Sequence, residues 1–380
     1  RSAIGTGATQ GQDITLWEVT IAEGPKSAGY ATALSGKWHL GGDAPEGRRE
    51  PTHQGFDEYY GIPRTSNEAQ TTIAQGQSAP NTSFIWEGSS GSPSRNVKPF
   101  DMASRRTIDR ESADKSIAFM EKSVRNRKPF FVYYPMTQIR SPTLAHPEFS
   151  GKTGAGDIAD AMAERDHNVG RVLDAIDRLG VTRNTIVFWC TDNGAEGRRP
   201  WRGSSGPWSG FYNSVMEGGI RTPCIVRWPG RIPAGQVSNE IVHEMDIFPT
   251  IAAAVGAPEI VPKDRAIDGV NQMPFLEGKQ TKSGRDHVIY FTNTQLRAVK
   301  WHDWKLHYAF APEAGAPPVP PLMRLFNLLS DPKEETDIKD ANPWVFSVID
   351  KLVADFTASA GRYPHVPANA RDPYAPPARP

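Results

Sequence analysis

Cysteine is scarce in this 380-residue chain: Cys190 and Cys224 are the only two. A pair this far apart builds no disulfide framework and lacks metal-ligand spacing. Both read as buried apolar residues of strand-like runs. Charge of one sign is also lacking, because 43 Lys and Arg balance 43 Asp and Glu. That excludes a generic nucleic-acid binder, for which a clearly basic domain is expected, and an acidic disordered chain. Long hydrophobic runs are missing too: stretches such as Thr185–Cys190 fall far below the roughly 18 residues of a membrane span. No transmembrane segment is expected. Neither a Gly-x-Ser-x-Gly elbow nor His-Glu-x-x-His is present, which removes two common hydrolase patterns. The chain opens at Arg1, without an initiator Met or a basic-then-apolar leader. Either a removed leader or a fragment is expected.

What is present is alternation of helix and strand patterns. Met162, Val169, Val172, Leu173, Ile176 and Leu179 recur at helical spacing, with Gly180 placed to end the helix. Thr185–Cys190 follows as a short, β-rich run expected to be covered on both faces. Earlier, Ile117, Met120 and Val124 mark a helix ended by Pro129, and Phe130–Tyr134 is the next strand. Thr15–Ala22 reads as helix and Tyr30–Ser35 as strand. Such alternation predicts an α/β fold with a mainly parallel sheet. Glu68–Ser94, rich in Gly, Ser, Gln, Asn and Thr, reads as a long surface excursion. Beyond Ser283–Asp286, short runs at His287–Thr292, Arg297–Lys300 and Trp304–Tyr308 predict antiparallel strands, and Pro343–Ala360 a helix. The expected organisation is a main α/β domain over 1–285, an α+β subdomain over 286–360 and a Pro-rich tail over 361–380.

Three segments carry candidate chemistry. Thr191-Asp192-Asn193-Gly194 follows a strand, where ligands of open α/β sheets bind. Its Asp and Asn are hard oxygen donors suited to Ca²⁺ or Mg²⁺, although Asp-Asn-Gly is equally good turn chemistry. Ser35-Gly36-Lys37-Trp38-His39-Leu40-Gly41-Gly42 lies at another strand end. There, glycines permit close backbone approach, Lys37 offers a point charge and His39 can move protons near neutral pH. Arg221 sits in Glu217-Gly218-Gly219-Ile220-Arg221-Thr222-Pro223, which taken alone is a structural turn. Asn81-Thr82-Ser83 is a glycosylation sequon of little weight.

Together these segments resemble the sulfatase family. Gly29-Tyr30-Ala31-Thr32-Ala33-Leu34-Ser35-Gly36-Lys37-Trp38-His39 is similar to that family's second signature. His53-Gln54-Gly55-Phe56-Asp57, the Thr-Asp-Asn-Gly loop, Glu217–Pro223, Arg227-Trp228-Pro229-Gly230, Asp246-Ile247-Phe248-Pro249-Thr250 and Trp304-Lys305-Leu306 follow in the family's order. The resemblance implies an alkaline-phosphatase-like α/β/α sandwich with a small C-terminal α+β domain carrying an antiparallel sheet, and hydrolysis of sulfate esters. It implies a formylglycine nucleophile installed by a maturation enzyme, and a Ca²⁺ or Mg²⁺ ion of which Asp192 and Asn193 are half the protein ligands. Lys37 and His39 match residues that hold the sulfate and the formylglycine hydroxyls, with His39 as proton acceptor. Arg1 matches the Arg of the nucleophile motif. The nucleophile and two Asp ligands would then lie upstream, making the chain an inactive fragment.

Two departures stand out. Where related sequences place a His that protonates the leaving oxygen, Thr137-Gln138-Ile139 is followed by Arg140. An arginine stabilises charge but is not an efficient proton donor. The Lys expected before Glu-Gly-Gly is absent, and Arg202 is the candidate to supply that charge. Trp86, Trp201 and Trp208 are candidate stacking surfaces for an aryl group or sugar, although ordinary packing is the expected role of each. The resemblance further implies a small-molecule or carbohydrate sulfate ester as substrate, no nucleic-acid partner, and a periplasmic, secreted or lysosomal location. The alternatives are a phosphodiesterase or phosphonate hydrolase of the same superfamily, and a decayed pseudoenzyme kept for binding.

Overall fold

The structure is a computed structural model that describes residues 14–41, 49–66, 84–292, 295–310 and 323–364. Arg1, the sequon at Asn81, residues 68–83 of the polar excursion and the tail from 365 lie outside the described residues. The chain divides into two units, one of residues 1–182, 251–262 and 365–380, the other of 183–250 and 263–364.

In the first unit the elements run α1 (Glu23–Ser27), β1 (Ala31–Lys37), β2 (Glu58–Ile62), β3 (Phe84–Ser89), β4 (Arg95–Pro99), α2 (Met102–Arg125), β5 (Phe130–Tyr133) and α3 (Asp157–Arg178). They build a mixed sheet in the order β4-β3-β2-β1-β5. β1 pairs in parallel with β2 and β5, while β2–β3 and β3–β4 are antiparallel. Parallel neighbours need a crossover, and α2 supplies the one that leads into β5. Its start is fixed by a capping box: the Asp101 carboxylate accepts from the amides of Ala103 and Ser104, and the Ser104 hydroxyl accepts from the Asp101 amide. Leu34, Trp38, Phe56 and Tyr59 form one buried cluster, and Tyr60, Ile62, Ile85, Phe100 and Ile108 another. Gly180, at φ +71°, ends α3 where the periodicity placed the stop.

At the carboxyl end of β1 the strands approach closely. Gly36 and Gly61 are register partners, and a Cβ on Gly61 would lie 1.7 Å from the Gly36 carbonyl oxygen. No side-chain rotation relieves a backbone clash. Gly61→Ala is therefore expected to destabilise the protein by about 3 kcal/mol or more. Thermal melting checks this; a change within about 0.5 kcal/mol would refute it.

The second unit holds β6 (Val187–Cys190), α4 (Glu217–Ile220), β7 (Cys224–Arg227), α5 (Ile247–Ala254, whose last turn clusters with the first unit), α6 (Met273–Leu276), β8 (His287–Thr292), β9 (Gln295–Trp301), β10 (Trp304–His307), β11 (Arg324–Asn327) and α7 (Trp344–Arg362). β8 to β11 form an antiparallel sheet in the order β11-β10-β9-β8. Val345 and Ile349 of α7 close its core against Val299, Leu306 and Leu325. No helix among the described residues is long and apolar enough to cross a membrane.

Several expectations need correction. Residues 15–22 form turns, and the helix there begins only at Glu23. The C-terminal part of the polar excursion is ordered pairing: Phe84–Ser89 is β3, antiparallel to β2. Trp86 on that strand packs against the Leu34–Phe56 cluster, in line with the ordinary packing expected of it. The cysteines face each other as register partners across β6 and β7, with Cys190 half-buried and Cys224 exposed. The pair is thus not the wholly buried one the apolar runs suggested. Burial pushes the Cys190 thiol up to about 12, which leaves it protonated and a poor nucleophile.

Candidate active site

In the first unit, β1, β2 and β5 end side by side, and the segment after β1 runs between the other two connections. Lys37 donates its backbone amide to Pro135 O at 2.9 Å, Trp38 to Ile62 O at 3.0 Å and His39 to Pro63 O at 2.8 Å. Trp38 is buried edge-on against Phe56, with its indole N–H on Arg49 O. Lys37 and His39 on either side of it are only half-buried. His39 adopts φ +65°, a left-handed conformation unfavourable for a non-glycine residue. Such conformations persist where surrounding structure holds them, and they cluster at functional sites.

The turn after β5, which carries Arg140, is clamped by α2. Both carboxylate oxygens of Asp109 accept from the turn, from Thr137 N at 2.7 Å and Gln138 N at 2.9 Å. Arg105 donates to Ser66 O at 2.5 Å and to Arg140 O at 3.0 Å. Gln138 then spans the turn by donating to Leu144 O at 2.7 Å. Burial lowers the Arg105 pKa to about 10, against the pull of Asp109, so it stays a cation at neutral pH. Neither Arg105 nor Asp109 was legible as a site residue, because their partners lie 28 to 39 residues away in the chain.

Further along the same loop the Glu164 carboxylate accepts from His146 N at 2.7 Å. Burial raises its pKa from 4.5 to about 7, and the hydrogen bond only partly opposes this. A carboxyl whose folded pKa lies above its unfolded value favours folding below the unfolded value. That contribution is lost as pH rises through the folded one. Glu164→Gln is therefore expected to leave the melting temperature at about pH 4.5 unchanged, and to raise stability by roughly 1–2 kcal/mol at about pH 8.5. Parallel pH–melting curves for the two proteins would refute it.

In the second unit, Thr191-Asp192-Asn193-Gly194 follows β6. Asp192 is exposed and Asn193 half-buried. The Asn193 amide nitrogen donates to Gly194 O at 2.8 Å, and the Thr191 hydroxyl to Asn193 O at 3.2 Å. The loop presents hard oxygen chemistry, which fits an alkaline-earth ion. Among the described residues no three His, Cys, Asp or Glu side chains converge to hold one. Arg202 is exposed, its guanidinium 4.6 Å over the Phe211 ring, and Arg221 lies 4.5 Å over Trp208. One face of Trp208 is therefore taken by Arg221. Trp201 is half-buried. The structure thus groups Lys37, His39 and the Arg140 turn in one unit, and Asp192, Asn193 and Arg202 in the other.

Comparison with known proteins matches the profile described as Sulfatase over residues 2–257, and that of the N-sulphoglucosamine sulphohydrolase C-terminal region over 208–358. Mouse steryl-sulfatase is 32% identical over an alignment covering 91% of this chain and 68% of that protein. Dog N-acetylgalactosamine-6-sulfatase is also 32% identical, over 77% of this chain and 54% of that protein. Among solved structures, a sulfatase from Pseudoalteromonas sp. superposes with a TM-score of 0.84 at 27% identity, covering 92% of this chain and 74% of that one. The phosphonate monoester hydrolase of Agrobacterium radiobacter shares the fold at a TM-score of 0.54 and 17% identity, over 92% of this chain and 82% of that one.

Proposed function

The chain belongs to the sulfatase family of sulfate-ester hydrolases, and we propose that it cleaves aryl or carbohydrate sulfates with Lys37, His39, Arg140, Asp192 and Asn193 in the working roles. The observation that carries the assignment of roles is the end of β1. There Lys37 and the strained His39 are held by backbone bonds to the loops after β2 and β5.

In this reading a formylglycine would supply the hydroxyl nucleophile, chemistry that would split one hard displacement into two easier steps. Asp192 and Asn193 would hold a divalent cation, which when bound would supply polarisation of the sulfate. Lys37 binds sulfate oxygens and offsets the charge that develops on them. His39 accepts the hydroxyl proton at a ring nitrogen. Arg1 orients the nucleophile, and Arg202 adds positive charge toward the anionic substrate. Arg140 stabilises negative charge on the leaving oxygen without handing it a proton. Export from the cytoplasm and a formylglycine-generating maturation enzyme accompany the reading.

The test is sulfate release by the protein expressed in full from its own reading frame and matured with the formylglycine-generating enzyme. An aryl sulfate should turn over well above the matching phosphate ester. A preference for phosphate diesters or phosphonates would favour the phosphonate-hydrolase alternative. Absence of all turnover would favour a binding role, to which Arg140 lends support.

A further inference from the structure

The backbone of the Asp192–Asn193 loop is pinned to α4. Gly194 N donates to Gly219 O at 3.0 Å. A Cβ on Gly194 would meet Gly218 O at 2.0 Å, so the loop rests directly on the α4 backbone. The one acidic side chain of α4, Glu217, points away from this contact into a buried ion cluster. Its carboxylate accepts from Lys300 Nζ at 2.8 Å and Lys305 Nζ at 3.0 Å. Its amide donates to the Glu334 carboxylate at 2.7 Å. Lys305 also donates to Val215 O at 2.6 Å, and Glu334 pairs with His307 Nε2 at 2.5 Å. Glu217, Lys305, His307 and Glu334 are all buried.

A cluster of this kind is a poor way to gain stability, since apolar residues of the same volume usually do as well. Its ionic bonds are directional, however, and they meet α4 at three points: a carbonyl before it, the amide at its first residue and the carboxylate of that residue. Burial alone would raise the Glu217 pKa, but Lys305 and Lys300 outweigh it and hold it at about 2. The bonds therefore persist throughout the neutral range.

We propose that Glu217, gripped by Lys300 and Lys305, is the positioning residue for the Thr191–Gly194 loop, so that the ion cluster under the C-terminal sheet sets the geometry of Asp192 and Asn193. The cation arm of this inference rests on the proposed role of those two residues; the positioning arm does not.

The experiment is hydrogen exchange at the Gly194 amide of the natural full-length chain, with calorimetric Ca²⁺ titration in parallel. Amide exchange reads local opening. Glu217→Gln and Lys300→Gln are expected to speed Gly194 exchange about tenfold while amides of β9 and β10 stay within about twofold. Lys300→Arg, which keeps the charge, is expected to return it toward wild type. The apparent Ca²⁺ affinity should fall about tenfold in Lys300→Gln. If Glu217→Gln does not fold, Lys300→Gln decides alone, because Lys300 sits at the rim of the cluster with its side chain 13% exposed. A lowered melting temperature with unchanged Gly194 exchange would overturn the proposal and leave the cluster a purely structural device. A wild-type protein that binds no Ca²⁺ would overturn the cation reading of the loop, and exchange at Gly194 would still decide the positioning.

Discussion

Lys37→Ala is expected to lower kcat/KM for sulfate release by about 10²–10³-fold, the usual cost of removing one preorganised electrostatic stabiliser. The loss should fall mainly on kcat, because charge on the sulfate oxygens grows toward the transition state and uniform binding contributes little there. Folding should be spared. The backbone of residue 37 is held by its amide on Pro135 O and by register pairing with Ile62, and the side chain is half-buried at a strand end. Lys37→Arg should recover only part of the rate, since a planar fork does not fill the position of a compact ammonium. Steady-state kinetics with a paired thermal melt checks all three statements. A Lys37→Ala enzyme within about threefold of wild type would remove Lys37 from the reacting centre.

How much of this was legible in the sequence depends on the range of the interaction. α3 and its stop at Gly180 were readable because their signal lies within a few residues, and so was the strand–loop junction at Thr191. Lys37 and His39 were readable because flanking glycines mark a place where backbone must approach closely. The structure gives the reason: Gly36 and Gly61 leave no room for a Cβ. What escaped is held by contacts far apart in the chain. Asp109 reaches the Thr137 amide across 28 residues, and Lys305 reaches Glu217 across 88. On its own helix or strand, each looks like an ordinary solvated charge. β3 escaped for a different reason. It alternates over too few residues to stand out from the polar stretch before it, and only pairing with β2 reveals it. Cys224 misled because an apolar run predicts burial, whereas burial depends on which neighbours cover the strand.

The turn after β5 leads to the second large effect. Arg140→His is expected to raise kcat on sulfate esters with poor leaving groups, such as alkyl sulfates, by about 10²-fold, the lower end of what a positioned general acid contributes. Nitrophenyl sulfate should change little, because its phenolate leaves without a proton. The backbone carbonyl of residue 140 is held by Arg105, and the amides of Thr137 and Gln138 by Asp109. These backbone bonds do not use the Arg140 side chain and are expected to survive the substitution. Arginine stays protonated in proteins and can only stabilise the departing oxyanion. In wild type, log kcat should therefore fall steeply as the leaving-group pKa rises. Histidine titrates near neutrality and can deliver the proton, which flattens that slope and adds an alkaline limb to the pH–rate profile. A series of substituted phenyl sulfates, assayed across pH with both enzymes, reads the two effects together. Equal slopes and coincident pH profiles would mean that residue 140 does not meet the leaving oxygen, and the charge-stabilising role given to Arg140 would fall with it.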